Sequence, residues 1–85
     1  MTNEEQLYEL IKQILSYRNE KALRSFLEAI LTPKELAEIP TRLQIVKMLK
    51  QGIAQRKIAE KLGVGVATVT RGSKEILKGN FEEIY

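Results

Sequence analysis

Side chains able to do chemistry concentrate in two neighbouring stretches, Gln55-Arg56-Lys57 and Val66-Ala67-Thr68-Val69-Thr70, and what they offer is recognition. The guanidinium of Arg56 suits bidentate bonding to a guanine edge, whereas the ammonium groups of Lys57 and Lys61 suit phosphate oxygens. Gln55 adds an amide that both donates and accepts. On the second stretch, the methyl groups of Val66, Ala67 and Thr68 could meet thymine methyls. The hydroxyls of Thr68 and Thr70 could bond a base edge, a water or a phosphate. Catalysis has no such material. The chain has no histidine and no cysteine, so it lacks the usual general base, a thiolate nucleophile and the commonest zinc ligands. No paired-carboxylate motif replaces them. No catalytic residue, metal ligand or disulfide is assigned, and the chain is not expected to be an enzyme.

Presenting these groups to a DNA groove takes two short helices that cross steeply around a tight turn. Ala59 supplies the small residue needed where the helices approach. Gly63, four residues on, ends the first helix in a turn that disfavours a β-carbon. Ile58, Leu62, Val64 and Val69 form the small core beneath the crossing. Alanine, glycine at plus four and a β-branched residue at plus ten make a helix-turn-helix over roughly Gln55 to Leu77, with helices at about 55–62 and 66–78. The same residues would also serve an ordinary αα-corner. The charge pattern bears on the choice: the first forty residues carry seven acids and five bases, whereas residues 41–78 carry nine bases and two acids. That asymmetry is expected where one face meets an anionic polymer.

The rest of the chain reads as support for this head. Leu7, Leu10, Ile11, Ile14 and Leu15 repeat at helical spacing, placing a helix at about 4–18. Leu23, Phe26, Leu27, Ile30 and Leu31 mark a second, with Arg18-Asn19-Glu20 as the connection and Asn19 as its cap. Thr32-Pro33-Lys34-Glu35 is a helix start with a capping box. The third helix then runs toward Gly52, showing Leu36, Ile39, Leu43, Val46 and Leu49. Pro40 predicts a kink or brief break there, with Thr41 and Gln44 able to restart the helix. Gly79-Asn80 stops the last long helix before a short turn. No strand pattern occurs, so the fold class is all-α. Eighty-five residues make a single helical DNA-binding domain, 1–85, with dimerisation helices over 1–50, the helix-turn-helix over 55–78 and a short C-terminal turn over 79–85. A domain of that size is marginal alone, which favours a shared core.

The blocks LTPKE (31–35), TRLQIVKML (41–49) and QRKIAEKLGVGVATVTRGS (55–73) resemble the Trp repressor family, including its uncharacterised relatives. The resemblance covers most of residues 31–78, and ATVTRGS after the turn is its most specific part. It implies a six-helix subunit in an intertwined homodimer, with the outer helices exchanged between chains. It also implies regulation, as a repressor, at a palindromic operator whose half-sites lie about one helical turn apart, roughly 34 Å. In that family L-tryptophan is the co-repressor, lying between the third helix and the reading head. The matching positions here are Leu31 and Thr32 before the third helix, Arg42 within it, and Arg71, Gly72 and Glu75 on the recognition helix. Arg42 and Arg71 could sandwich an indole, one of them pairing with the ligand carboxylate. Glu75 stands where the family holds a serine, and the linker into the head is slightly shorter than in tryptophan-binding members.

The expected partners are therefore double-stranded DNA, a second copy of the chain and a small amino-acid-like effector, with no membrane. An acidic N-terminus without an apolar run predicts no secretory signal and a cytoplasmic location. Two alternatives stay open at this point: a ligand-independent DNA-binding factor, and a helical protein-interaction module for an acidic partner.

Overall fold

The first three helices of this chain begin where a side chain takes up an otherwise unpaired backbone N–H. Thr2 Oγ1 accepts from the Glu5 amide at 3.1 Å, and Asn19 Oδ1 accepts from the Ala22 amide at 2.8 Å. Thr32 and Glu35 form the full reciprocal box: Thr32 N–H donates to Glu35 Oε1 at 2.9 Å, and Glu35 N–H donates to Thr32 Oγ1 at 3.2 Å. In a computed structural model describing residues 1–85, these starts open α1 (Asn3–Ser16), α2 (Glu20–Ile30) and α3 (Pro33–Lys50). Two shorter helices follow, α4 (Gln55–Leu62) and α5 (Val66–Leu77), and there is no strand. No helix is long and apolar enough to cross a membrane. The backbone divides into two compact units, Met1–Leu36 and Ala37–Tyr85, each with its own packing.

In the first unit α1 ends at Ser16, earlier than its apolar spacing suggests, and Tyr17 leaves the helix in extended backbone. The Tyr17 ring then lies 5.3 Å from that of Phe26 on α2, tilted by 40°. That aromatic pair links the end of α1 to α2, and neither helix contains a buried residue. Leu7, Ile11 and Leu15 are 53%, 45% and 77% exposed along one stripe of α1.

The capping box has a measurable consequence. Its bonds from Thr32, the backbone one first, hold the Glu35 carboxyl below the ordinary glutamate value of 4.5. A depressed folded-state value means the stabilisation is complete above the unfolded-state pKa and disappears as pH falls through the folded one. Glu35→Gln keeps an acceptor but loses the charge. Its thermal midpoint is therefore expected to lie below that of the parent chain at neutral pH, with the gap closing below about pH 4.5. A gap that persists at low pH would contradict the charge-assisted cap.

The second unit corrects one expectation. α3 is continuous from Pro33 to Lys50 and does not break at Pro40, and Thr41 does not begin a new helix with Gln44. Instead the Thr41 hydroxyl donates to the Ala37 carbonyl at 2.9 Å, inside the helix and one turn back. An interior proline costs about 3 kcal/mol. Burial of Ile45 and Val46 in the following turn, roughly 1.5–3 kcal/mol each, is of the size needed to offset it. α3 also has more than one apolar side. Ile45 enters the core while Ile39 and Leu43, on the stripe read from the sequence, remain exposed.

α3 ends with a helix-stop turn in which Gly52 N–H donates to Leu49 O at 3.0 Å and Ile53 N–H donates to Met48 O at 3.1 Å. After α5, residues 78–83 form turns, so the chain has five helices and not the six the resemblance implies. Gly79 at φ +92° and Phe81 at φ +63° bend the backbone too sharply there for a further helical segment.

Candidate nucleic-acid interface

α4 and α5 are held together by a core that neither could form alone. Ile58 and Val69 are fully buried, Ala59 is nearly so, and Ile45 of α3 closes the cluster from beneath. Met48, Leu49, Ile53, Leu62 and Val64 pack around its edge. The connecting turn depends on Gly63, which takes φ +66° and ψ 36°, a left-handed conformation that a β-carbon makes unfavourable. The amides of Gly63 and Val64 both donate to the Ala59 carbonyl, the latter at 3.1 Å. Ala59 thus supplies the small side chain at the crossing and the carbonyl that closes the turn.

The structure places the sequence-predicted contact residues in two groups. Arg56, Lys57 and Lys61 are exposed on α4, and Val66, Ala67 and Thr68 are exposed on the first turn of α5. Gln55 and Thr70 are half-buried and brace the head. The Thr70 hydroxyl lies 2.7 Å from Gln55 Oε1 and 3.0 Å from the Val66 carbonyl, so its proton is engaged within the protein. The two donors of the Gln55 amide nitrogen remain for an outside acceptor. Neither α4 nor α5 has a side-chain cap, since Ala54 and Gly65 precede them. Both helix N-termini therefore present backbone N–H groups and a partial positive charge beside Arg56 and Lys57.

The sequence-predicted ligand residues also divide. Arg42, Arg71, Gly72 and Glu75 line one cavity of about 330 Å³ between α3 and α5. Leu31 and Thr32 belong to the first unit, at the α2–α3 junction, where the Thr32 hydroxyl serves the capping box. A second cavity of about 470 Å³ shares Arg42, Ile45, Thr68 and Arg71 with the first and extends to Ala37 and Val64. Ala67 and Thr68 form part of its wall, so the first turn of α5 borders this cleft as well as solvent.

Individual roles are sharper than the sequence suggested. Gly72 is a packing residue: a β-carbon there would lie 3.1 Å from Ile45 Cγ2 and 3.5 Å from Leu49 Cδ1. Arg42 Nη2 reaches Glu38 Oε2 at 4.0 Å, with both side chains largely in solvent. Glu75 lines the cavity and is bonded within the chain. Asn80 Nδ2 donates to its Oε2 at 2.7 Å and Lys78 Nζ to its Oε1 at 3.2 Å. Those bonds, with the charges of Lys78 and Arg71, hold its carboxyl below the ordinary range. Sequence reasoning missed Ile39, Leu43, Val46, Phe81 and Ile84 on the cavity wall. The one available signal was the i, i+3 apolar pair Phe81 and Ile84 directly after Gly79-Asn80.

A three-residue turn between two short crossed helices, set on a buried core and flanked by cations, defines the helix-turn-helix class. Residues 5–83 match the Trp repressor protein family. The chain is 38% identical over 80 residues to the Trp operon repressor homolog of Vibrio cholerae serotype O1, covering 93% of this chain and 75% of that relative. It is 40% identical over 76 residues to that of Photobacterium profundum, covering 88% and 71% of the two chains. Against that of Aliivibrio salmonicida it is 46% identical over 54 residues, or 62% and 50%. The chain belongs to the Trp repressor family, whose members are regulators and not enzymes.

Proposed function

We propose that this chain is a transcriptional repressor that binds a palindromic DNA operator as a homodimer, with α5 entering the major groove. The observation that carries the reading is the surface around the turn. Small exposed residues (Val66, Ala67, Thr68) open an uncapped α5, and Arg56, Lys57 and Lys61 flank it on α4. Arg56 reads a guanine, Lys57 and Lys61 contact phosphates, Gln55 contributes its amide nitrogen, Thr68 offers its hydroxyl, and Thr70 acts by holding Gln55 in place. The names of the relatives, each a Trp operon repressor homolog, support the repressor assignment. Dimerisation is supported by the first unit, whose two helices bury no residue by themselves while Leu7, Ile11, Leu15 and Ile30 lie open. L-tryptophan is the proposed co-repressor, its indole between Arg42 and Arg71 and its carboxylate on one of them. A ligand-independent regulator is the second reading, favoured by the engagement of Glu75 with Lys78 and Asn80.

Fluorescence anisotropy with duplexes from the source genome tests the DNA reading. Binding is expected to weaken steeply with salt, because each neutralised phosphate contributes about −0.9 to the slope of log K against log salt. Arg56→Ala is expected to cost about 1–3 kcal/mol and to flatten the ranking of operators, whereas Lys57→Ala lowers affinity for all sequences alike. No duplex retained even at low ionic strength would overturn the assignment. The chain contains no tryptophan, so added L-tryptophan can be followed by its own emission. An unchanged spectrum at millimolar ligand would leave the ligand-independent reading.

A further inference from the structure

We propose that residues 79–84 are a built-in lid on the cavity between α3 and α5, and that a flat apolar ligand reaches Arg42 and Arg71 from this side only by displacing it. The inference deepens the regulatory reading above, but its first test needs no DNA. Phe81 and Ile84 contribute to the cavity wall together with Ile39, Leu43, Val46 and Gly72. Apolar side chains of the lid thus face apolar side chains of α3 across one cavity.

Three fastenings hold the segment in place. Gly79 turns the chain at φ +92°, with Gly79 N–H donating to Ile76 O at 2.9 Å and Asn80 N–H donating to Glu75 O at 3.1 Å. The Asn80 side-chain amide then bonds the Glu75 carboxylate, and Lys50 Nζ donates to the Phe81 carbonyl. Phe81 itself sits at φ +63°, in the left-handed region, so the backbone bends against its preference to place this aromatic ring. Phe81 stays 41% exposed, and the lid is fastened where it leaves α5, over residues 79–81, with Ile84 bonded only within the segment. Glu75 belongs to both parts: it lines the cavity and anchors Asn80. A ligand cation drawn to Glu75 would compete with Asn80 and Lys78, so entry and lid release are coupled through one carboxylate.

The test uses Phe81→Gly, which removes the ring and relieves the positive φ, together with Asn80→Ala, which keeps the ring but cuts the anchor. In methyl NMR of the intact chain, Phe81→Gly is expected to shift Ile39, Leu43 and Val46 while leaving Ile58 and Val69 in place. L-tryptophan, followed by its fluorescence, is expected to bind Phe81→Gly at least about tenfold more tightly than the parent, with Asn80→Ala between them. That factor corresponds to a parent cavity open in about a tenth of molecules or fewer. Unmoved Ile39, Leu43 and Val46 methyls would overturn the lid itself. Equal affinity in all three proteins, or no binding to any of them, would overturn the gating. Duplex binding by the parent chain is read separately, so failure of the DNA assignment is distinct from both.

Discussion

Replacing Ile58 by alanine is expected to melt the reading head at temperatures where the parent chain is intact. Ile58 is fully buried against Val69, Ala59 and Ile45, in a cluster with few members. Removing a buried isoleucine to alanine costs about 2–5 kcal/mol, partly as lost transfer energy and partly as the cavity left behind. Proteins have only about 0.05–0.15 kcal/mol of stability per residue, so that loss is a large fraction of what 85 residues supply. Circular dichroism should show the thermal midpoint falling by on the order of 10 °C or more. Ile39→Ala serves as the comparison, since Ile39 is 45% exposed. If the two variants melt alike, the head does not depend on this core.

The second large effect is expected from Leu7→Glu combined with Ile11→Glu. The two side chains lie one helical turn apart on α1 and stay exposed within the chain. In a two-fold dimer each substitution acts twice, and each glutamate must lose water to enter an apolar contact. The dissociation constant of the dimer should rise by about a thousandfold or more. Light scattering at micromolar concentration is the measurement. A double variant that remains dimeric would remove α1 from the interface, and a parent chain that is monomeric would remove the dimer. The head's core draws on α3, α4 and α5 alone, so helicity of the second unit is expected to survive in the double variant.

What could be read from the sequence was what neighbouring residues decide among themselves. The caps at Asn19 and Thr32–Glu35 were legible because donor and acceptor stand three residues apart, within one turn of helix. The turn at Gly63 was legible for the same reason. α3 was read in part: it is apolar on more than one side, so periodicity selected Val46 and Leu49, which pack inward, but also Ile39 and Leu43, which stay exposed, while packing with α4 and α5 selected Ile45. At Pro40 the local rule pointed to a kink or brief break; the helix runs on without a break, with Ile45 and Val46 buried beyond it. Gln55 and Thr70 were read as two independent contacts because nothing local reveals a hydrogen bond across fifteen positions. The bond from Asn80 to Glu75 was equally hidden, because it depends on the turn at Gly79.

The lack of any buried residue in α1 and α2 also bears on how much of this protein a cell must make. The reading head has its own core, whereas in the proposed dimer the first unit gains its burial from a second copy. In the proposed dimer, its formation follows mass action. Below the dissociation constant, the concentration of paired heads rises as the square of the number of chains. Occupancy of a palindromic site then responds more sharply to expression level than a preassembled repressor allows. The abundance of the chain becomes an input to the switch alongside any effector.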